Sequence, residues 1–146
     1  MLVRQWMTRK PLTVDANASV AEAWRMMRSK RIRHLPVREQ TKLVGIVSDR
    51  DIRLAFPTPA ADMDVGERRA LWERLRVWQI MTRVVVVIPP DAPMERAAQM
   101  LLRYKVSGLP VMADERLVGI ITETDFLRAF IAAQKAPPAR KRTGGR

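Results

Sequence analysis

Leu43-Val44-Gly45-Ile46-Val47-Ser48-Asp49-Arg50-Asp51 is answered later in the chain by Leu117-Val118-Gly119-Ile120-Ile121-Thr122-Glu123-Thr124-Asp125. In each stretch an apolar, partly β-branched run reads as a strand, and a hydroxyl followed three residues later by a carboxylate reads as the start of a helix. Extended outward at the same offset of 74 positions, Val3–Phe56 aligns with Val77–Phe130 without a gap. Gln5, Met7, Thr8 and Arg9 fall on Gln79, Met81, Thr82 and Arg83; Leu35-Pro36-Val37 falls on Leu109-Pro110-Val111. Asp51, Ala55 and Phe56 fall on Asp125, Ala129 and Phe130. Register held over 54 residues identifies two copies of one supersecondary unit.

Each copy reads as strand, helix, strand, strand, helix. Leu12-Thr13-Val14, and Val84 to Ile88 in the second copy, predict a short strand. Ser19 with Glu22 predicts a capped helix start, and Pro93 at the equivalent place suits a first turn. Val20, Ala23, Trp24 and Met27 form an apolar face that Met94, Ala97, Ala98 and Leu101 repeat. Strands are predicted at His34–Arg38 and Lys42–Val47 around the turn Glu39-Gln40-Thr41, and at Gly108–Met112 and Leu117–Ile121. Closing helices are predicted over Asp49–Phe56 and Glu123–Phe130. One such copy is marginal alone, so the two are expected to pack sheet to sheet around a shared core in a mixed α/β (α+β) fold. The chain divides into copy one (1–56), a linker (57–76), copy two (77–134) and a tail (135–146). Asp64 to Glu67 predicts a capped linker helix that docks through Leu71, Trp72 and Leu75. The Pro-, Gly- and Arg/Lys-rich tail reads as disordered.

Composition removes several function classes. The 146 residues are 47% hydrophobic and 29% charged, as in a globular domain. With no cysteine there is no disulfide framework, thiolate metal site or cysteine nucleophile. His34 is the single histidine, which argues against a histidine metal centre or a Ser-His-Asp triad. No apolar run reaches the roughly 18–20 residues of a membrane span, and Met1 to Lys10 carries no signal-peptide pattern, so a cytoplasmic protein without membrane partners is expected. The net charge of +12 suits nucleic acid, acidic membranes or phosphorylated small molecules. It is uneven: residues 1–56 carry +7 and the tail +5, while the linker and copy two are each neutral.

The repeated Gly-x-x-Ser/Thr-x-x-Asp has two readings. Ser48 and Thr122 cap helices, with Asp51 and Asp125 in the first turn. Equally, a helix start presents N–H groups to phosphate oxygens, and a nearby aspartate accepts hydrogen bonds from a vicinal diol such as ribose. No nucleophile stands beside a general base, so a binding module rather than an enzyme is expected.

Taken together, the Met-Thr pairs Met7-Thr8 and Met81-Thr82, the Leu-Pro-Val strands and the two Gly-x-x-Ser/Thr-x-x-Asp segments resemble the CBS domains, named after cystathionine β-synthase. The tandem arrangement is similar to stand-alone Bateman modules. The resemblance implies a regulatory module with pseudo-twofold symmetry that binds AMP, ADP, ATP or S-adenosylmethionine in two clefts, with Mg²⁺ accompanying ATP alone. It implies that Asp51 and Asp125 hold ribose and that Ser48 and Thr122 meet phosphate or ribose oxygens. Adenine is implied to lie against side chains and main chain at Thr13, Val14, Leu35 and Pro36, and at Val87, Ile88, Leu109 and Pro110. Just before Leu-Pro, Arg33-His34 matches the phosphate-reaching basic pair of nucleotide-binding members. Ser107-Gly108 departs from it, so the clefts are expected to differ, with basic phosphate partners from copy one. The closing helices, with Ile52, Phe56, Phe126, Leu127 and Phe130, are implied to pair two modules into a homodimer that signals to a regulated protein. The alternatives are a nucleic-acid-binding protein using the basic surface and tail, or a structural dimer with empty clefts.

Overall fold

The computed structural model describes residues 1–55, 64–83 and 86–137. Phe56, the first linker residues, Val84, Val85 and the tail beyond residue 137 lie outside the described residues. Copy one runs α1 (Val3–Trp6), β1 (Thr8–Arg9), β2 (Val14–Asp15), α2 (Val20–Lys30), β3 (His34–Glu39), β4 (Lys42–Ser48) and α3 (Asp49–Leu54). The linker supplies α4 (Val65–Arg74). Copy two runs α5 (Val77–Ile80), β5 (Thr82–Arg83), α6 (Met94–Tyr104), β6 (Gly108–Ala113), β7 (Arg116–Thr122) and α7 (Glu123–Lys135).

Four differences from the expectation have local causes. The strand expected over Leu12-Thr13-Val14 starts only at Val14, which pairs in parallel with Val37. Of its counterpart, the described Ile88 bridges to Val111 in parallel. The short helices α1 and α5 were not foreseen, although the repeated Gln5 and Gln79 mark them: their Oε1 atoms accept from the Leu2 and Arg76 N–H groups at 2.7 and 2.8 Å. Finally, α7 continues past Phe130 to Lys135, so the first residue assigned to the tail is helical.

Capping is as expected for α4, where Asp64 and Glu67 exchange bonds, and half as expected for α2, where Ser19 Oγ accepts from the Glu22 N–H at 3.1 Å. Pro93 stands at the cap position of α6 rather than inside it. The helix α4 docks on α2 through Trp72, whose ring centroid is 5.2 Å from that of Trp24.

The two sheets exchange their edges. One has the order β2-β3-β4-β5 and the other β1-β7-β6, so the opening strand of each copy completes the sheet of the other. Thr8 and Arg9 face Ile120 and Gly119; Thr82 and Arg83 face Ile46 and Gly45. This explains the repeated Met-Thr and Gly. A Cβ added to Gly119 would stand 2.5 Å from Met7 Sδ and 2.9 Å from the Thr8 carbonyl oxygen, and one on Gly45 would meet Met81 and Thr82 at the same distances. Only a residue without Cβ admits the crossing strand.

Among the described residues the buried apolar side chains form two clusters rather than one shared core. One gathers Val14, Val20, Ala23, Met27, Leu35, Val37, Val47 and Ile52 of copy one, with Val77 of copy two. The other gathers Ile88, Met94, Ala97, Leu101, Leu109, Val111 and Ile121 of copy two, with Val3 of copy one. Each copy therefore inserts its α1 or α5 valine into its neighbour's core, a mutual stabilisation worth about 1.5–3 kcal/mol per buried side chain.

Candidate functional site

Both repeated motifs end a strand and begin a helix, but they cap differently. Ser48 Oγ accepts from the Asp51 N–H at 3.1 Å, while Asp51 Oδ2 accepts from the Ser48 N–H at 2.8 Å. In copy two, Asp125 Oδ2 accepts from the Thr122 N–H at 2.8 Å and from its hydroxyl at 3.3 Å. The first amides of α3 and α7 are occupied as well: the Asp49 N–H donates to the Arg33 carbonyl and the Glu123 N–H to the Ser107 carbonyl. The helix starts are thus largely satisfied from within, which removes most of the N–H groups expected to face phosphate. The carboxylates are not exhausted. Asp51 Oδ1 has no hydrogen-bond or ion-pair partner among the described residues, and Asp125 Oδ1 is approached only by Arg128 Nη1 at 3.5 Å. Asp125 is 4% exposed, the one buried acidic residue among those described.

Two clefts lie on the line between the copies, and the edge exchange crosses their walls. The first, about 380 Å³, brings Thr122 and Asp125 of copy two against Thr8, Lys10, Leu12, Ile32, Arg33 and His34 of copy one. The second, about 490 Å³, brings Ser48 and Asp51 against Thr82, Val106, Ser107 and Gly108, with His34 at its edge. Each carboxylate is therefore served by the other copy's pre-Leu-Pro segment, not its own.

The charges differ sharply. Lys10, Lys30, Arg31, Arg33 and Arg128 line the first cleft with Asp125 as its carboxylate. In the second, Arg50 and Lys105 balance Asp51 and Glu123. Basic partners are thus not confined to copy one: Lys105 and Arg128 belong to copy two. Arg31 and Lys105 occupy the same position in the repeat, ending α2 and α6 in the left-handed region at φ 52° and 54°. A glycine is the usual occupant of such a cap. The turn brings a cation to each cleft. Two basic residues at one repeat position, just past an apolar helix face, were the signal in the sequence.

His34 sits where the clefts meet. Its Nε2 shares a 2.6 Å hydrogen bond with Ser107 Oγ, and Arg33 Nη2 donates to Thr124 Oγ1 at 3.2 Å; both bonds join the two copies. Its repeat equivalent is Gly108, and a Cβ there would come within 3.4 Å of His34 Cδ2. Where copy one has Arg-His, copy two has Ser-Gly, and the serine hydroxyl meets the imidazole across the axis. Burial pushes the His34 pKa below its ordinary 6.5, with Arg33 acting in the same direction; Asp49, Asp51 and Glu123 oppose the shift.

The residues implied for adenine lie elsewhere than on these walls. Val14, Leu35, Ile88 and Leu109 are in the two cores, and Pro36 and Pro110 are buried. Thr13 Oγ1 accepts from Arg38 Nε at 3.1 Å, and Val87 is exposed. The apolar surface reaching the clefts comes from Leu12, Ile32 and Ile120 in the first, and from Ile46, Leu54 and Val106 in the second. Of the closing-helix residues, Ile52 is buried and Phe126 packs on a core, while Leu127 and Phe130 are exposed. Among the described residues no group of three or more metal-ligating side chains occurs, and no helix is long and apolar enough to cross a membrane.

Comparison with known proteins accords with this architecture. The crystal structure of the CBS domain pair of protein MJ0100, in complex with 5′-methylthioadenosine and S-adenosyl-L-methionine, superposes with a TM-score of 0.74. It is 32% identical, covering 91% of this chain and 98% of that one. A CBS domain-containing protein of Dictyostelium discoideum is 30% identical over 94% of this chain and 97% of its own length. L-aspartate semialdehyde sulfurtransferase of Methanocaldococcus jannaschii is 34% identical over 88% of this chain, which spans only 23% of that enzyme. The CBS domain model matches residues 3–58 and again 77–132, and with that duplicated match the chain belongs to the CBS-domain family.

Proposed function

We propose that this chain is a non-catalytic regulatory module of the cytoplasm that binds adenosine-containing ligands in its two clefts and signals their presence to a partner protein. The observation that carries the reading is the state of Asp125. A buried carboxylate has one oxygen fixed by its helix start and the other approached by Arg128 alone among the described residues, in a cleft lined by five basic side chains. That pattern suits a ribose diol followed by phosphate. The MJ0100 pair, similar over nearly its whole length, holds adenosine-based ligands, which supports the same ligand class here. The first cleft, rich in cations, suits AMP, ADP or ATP, with Mg²⁺ restricted to ATP; the balanced second cleft suits an adenosine ligand of low net charge such as S-adenosylmethionine. Ser48, Asp51, Ser107 and Gly108 form the second site, and Arg33, His34, Thr122 and Asp125 the first. Exposed Leu127, Phe130 and Ile131 on α7 support pairing of two modules into a homodimer.

Calorimetric titration with AMP, ATP and S-adenosylmethionine tests the reading. Asp125→Ala is expected to weaken AMP by about 10- to 150-fold, the equivalent of a charge-assisted contact worth about 1.5–3 kcal/mol. Unchanged affinities in both Asp125→Ala and Asp51→Ala would sink the assignment.

A further inference from the structure

On copy one, between the end of α2 and α3, lies a hollow of about 520 Å³. Four arginines line it, Arg28, Arg31, Arg33 and Arg53, against one carboxylate, Asp49, which Arg53 already holds at 2.7 Å. Trp24, Met27 and Ile32 supply its apolar surface. Arg28 and Arg53 line neither adenosine cleft. Both are exposed, and the Arg28 guanidinium lies over the Trp24 ring at 5.7 Å. At the offset of 74, copy two puts Leu102 and Leu127 in place of Arg28 and Arg53, and Ala98 in place of Trp24. Those leucines are 81% and 64% exposed. One face of the repeated unit is thus apolar in copy two, and cationic with an aromatic side chain in copy one.

We infer that this hollow docks an acidic, helix-forming segment of the regulated partner, one that presents an apolar side chain among carboxylates. The inference rests on the partner-signalling part of the proposed function and gives that partner a chemistry. A second copy of this chain fits the face badly. An isologous contact would set Arg28 and Arg53 against their own images, and a contact with copy two would bury their charges against Leu102 and Leu127. Carboxylates answer the arginines: Arg28 is oriented by its stacking on Trp24 and has no ion pair among the described residues. An apolar side chain answers Met27 and Ile32. The helix α2 already accepts such a segment on its adjoining face. There the linker helix α4 lays Trp72 against Trp24, ring centroids 5.2 Å apart, and sets Glu73 Oε1 3.0 Å from Arg25 Nη1. Arg28 follows Arg25 at helical spacing, so the hollow continues that pattern by one turn. Trp24 already carries Arg28 and Trp72 on its ring and offers a base little to stack on, which favours a peptide over single-stranded nucleic acid.

The test is fluorescence-anisotropy titration of the full chain against a labelled peptide of repeated Glu-Glu-Leu-Glu at fixed ionic strength, with AMP titrated into the same proteins. The native protein is expected to bind this peptide and not its counterpart with glutamine in place of glutamate. Arg28→Ala and Arg53→Ala should each weaken the peptide about fivefold, the upper end for an exposed ion pair, and the double variant more than about tenfold. Neither should change the AMP affinity, which also shows that the variants fold. Lys10→Ala, in the wall of the first cleft, should do the reverse and weaken AMP alone. No peptide binding, an unchanged affinity in the double variant, or an equal loss in Lys10→Ala would overturn the docking surface. So would tighter binding of oligothymidylate with the same losses. A native protein that binds AMP but not the peptide keeps the adenosine reading and loses this one; one that binds the peptide but not AMP does the opposite.

Discussion

The first cleft and the second are built from the same residues twice over, yet one is strongly cationic and the other balanced. Both have a Thr from the crossing strand, Thr8 or Thr82, a hydroxyl and aspartate from a helix start, and a left-handed cation, Arg31 or Lys105. They part at one dipeptide and its surroundings: Arg33-His34 on one side, Ser107-Gly108 on the other. Duplication preserves what the crossing strands demand of the backbone, and leaves the side chains on the axis free to differ. The two positions also touch, since a Cβ at position 108 would stand 3.4 Å from His34 Cδ2 and 3.3 Å from Thr122 Cγ2.

Experiments that treat the copies in pairs sharpen this contrast. The largest gap is expected between Asp125→Ala and Asp51→Ala in AMP titrations, with the 10- to 150-fold loss confined to the former. Equal losses would make the clefts equivalent despite their charge. Gly119→Ala and Gly45→Ala probe what the copies share. Each is expected to destabilise by about 1–3 kcal/mol in chemical denaturation, because a methyl collides with the crossing strand. A marked inequality would show that one exchanged edge matters more.

Ser107→Ala tests the axis itself, stranding His34 Nε2 at a cost of about 1–3 kcal/mol. The same imidazole gives a pH signature. Its folded pKa lies below the unfolded value of 6.5, so the unfolded chain binds the proton more readily, and stability present above pH 6.5 is lost as pH falls through it. Thermal unfolding between pH 7.5 and 5 should show that slope in the native protein and a shallower one in His34→Gln. The smallest contrast is in the helix caps. Ser19→Ala should cost about 1 kcal/mol, whereas Pro93→Ala removes no side-chain cap bond and should cost less.

The duplicated Gly-x-x-Ser/Thr-x-x-Asp, the Leu-Pro-Val strands and the apolar helix faces were legible because each obeys a local rule: period two, period 3.6, or a capping geometry. Thr122 and Asp125 were legible as a pair, whereas the basic groups of copy two that line the clefts, Lys105 and Arg128, were not. Arg128, three residues after Asp125 on one helix, is within reach of a local rule, but nothing local reveals that Lys10 and Arg33 of copy one line the same cleft, since they stand far from Asp125 in the chain. Nor could the buried fates of Leu35 and Leu109 be told from a motif that equally suits a cleft wall.

By itself the sequence determined the duplication, the order of elements in each copy and the family to which the chain belongs, all of which are written in short-range patterns repeated at one offset. Only the tertiary structure decided which copy serves which cleft. That depends on β1 and β5 crossing to the opposite sheets, and a crossing strand obeys the same local rules as one that stays at home. The surplus of charge in copy one was countable from the sequence; that Lys10, Lys30, Arg31 and Arg33 line one cleft with Asp125 of copy two is a property of the packed molecule, because charge acts through distance in space and not along the chain.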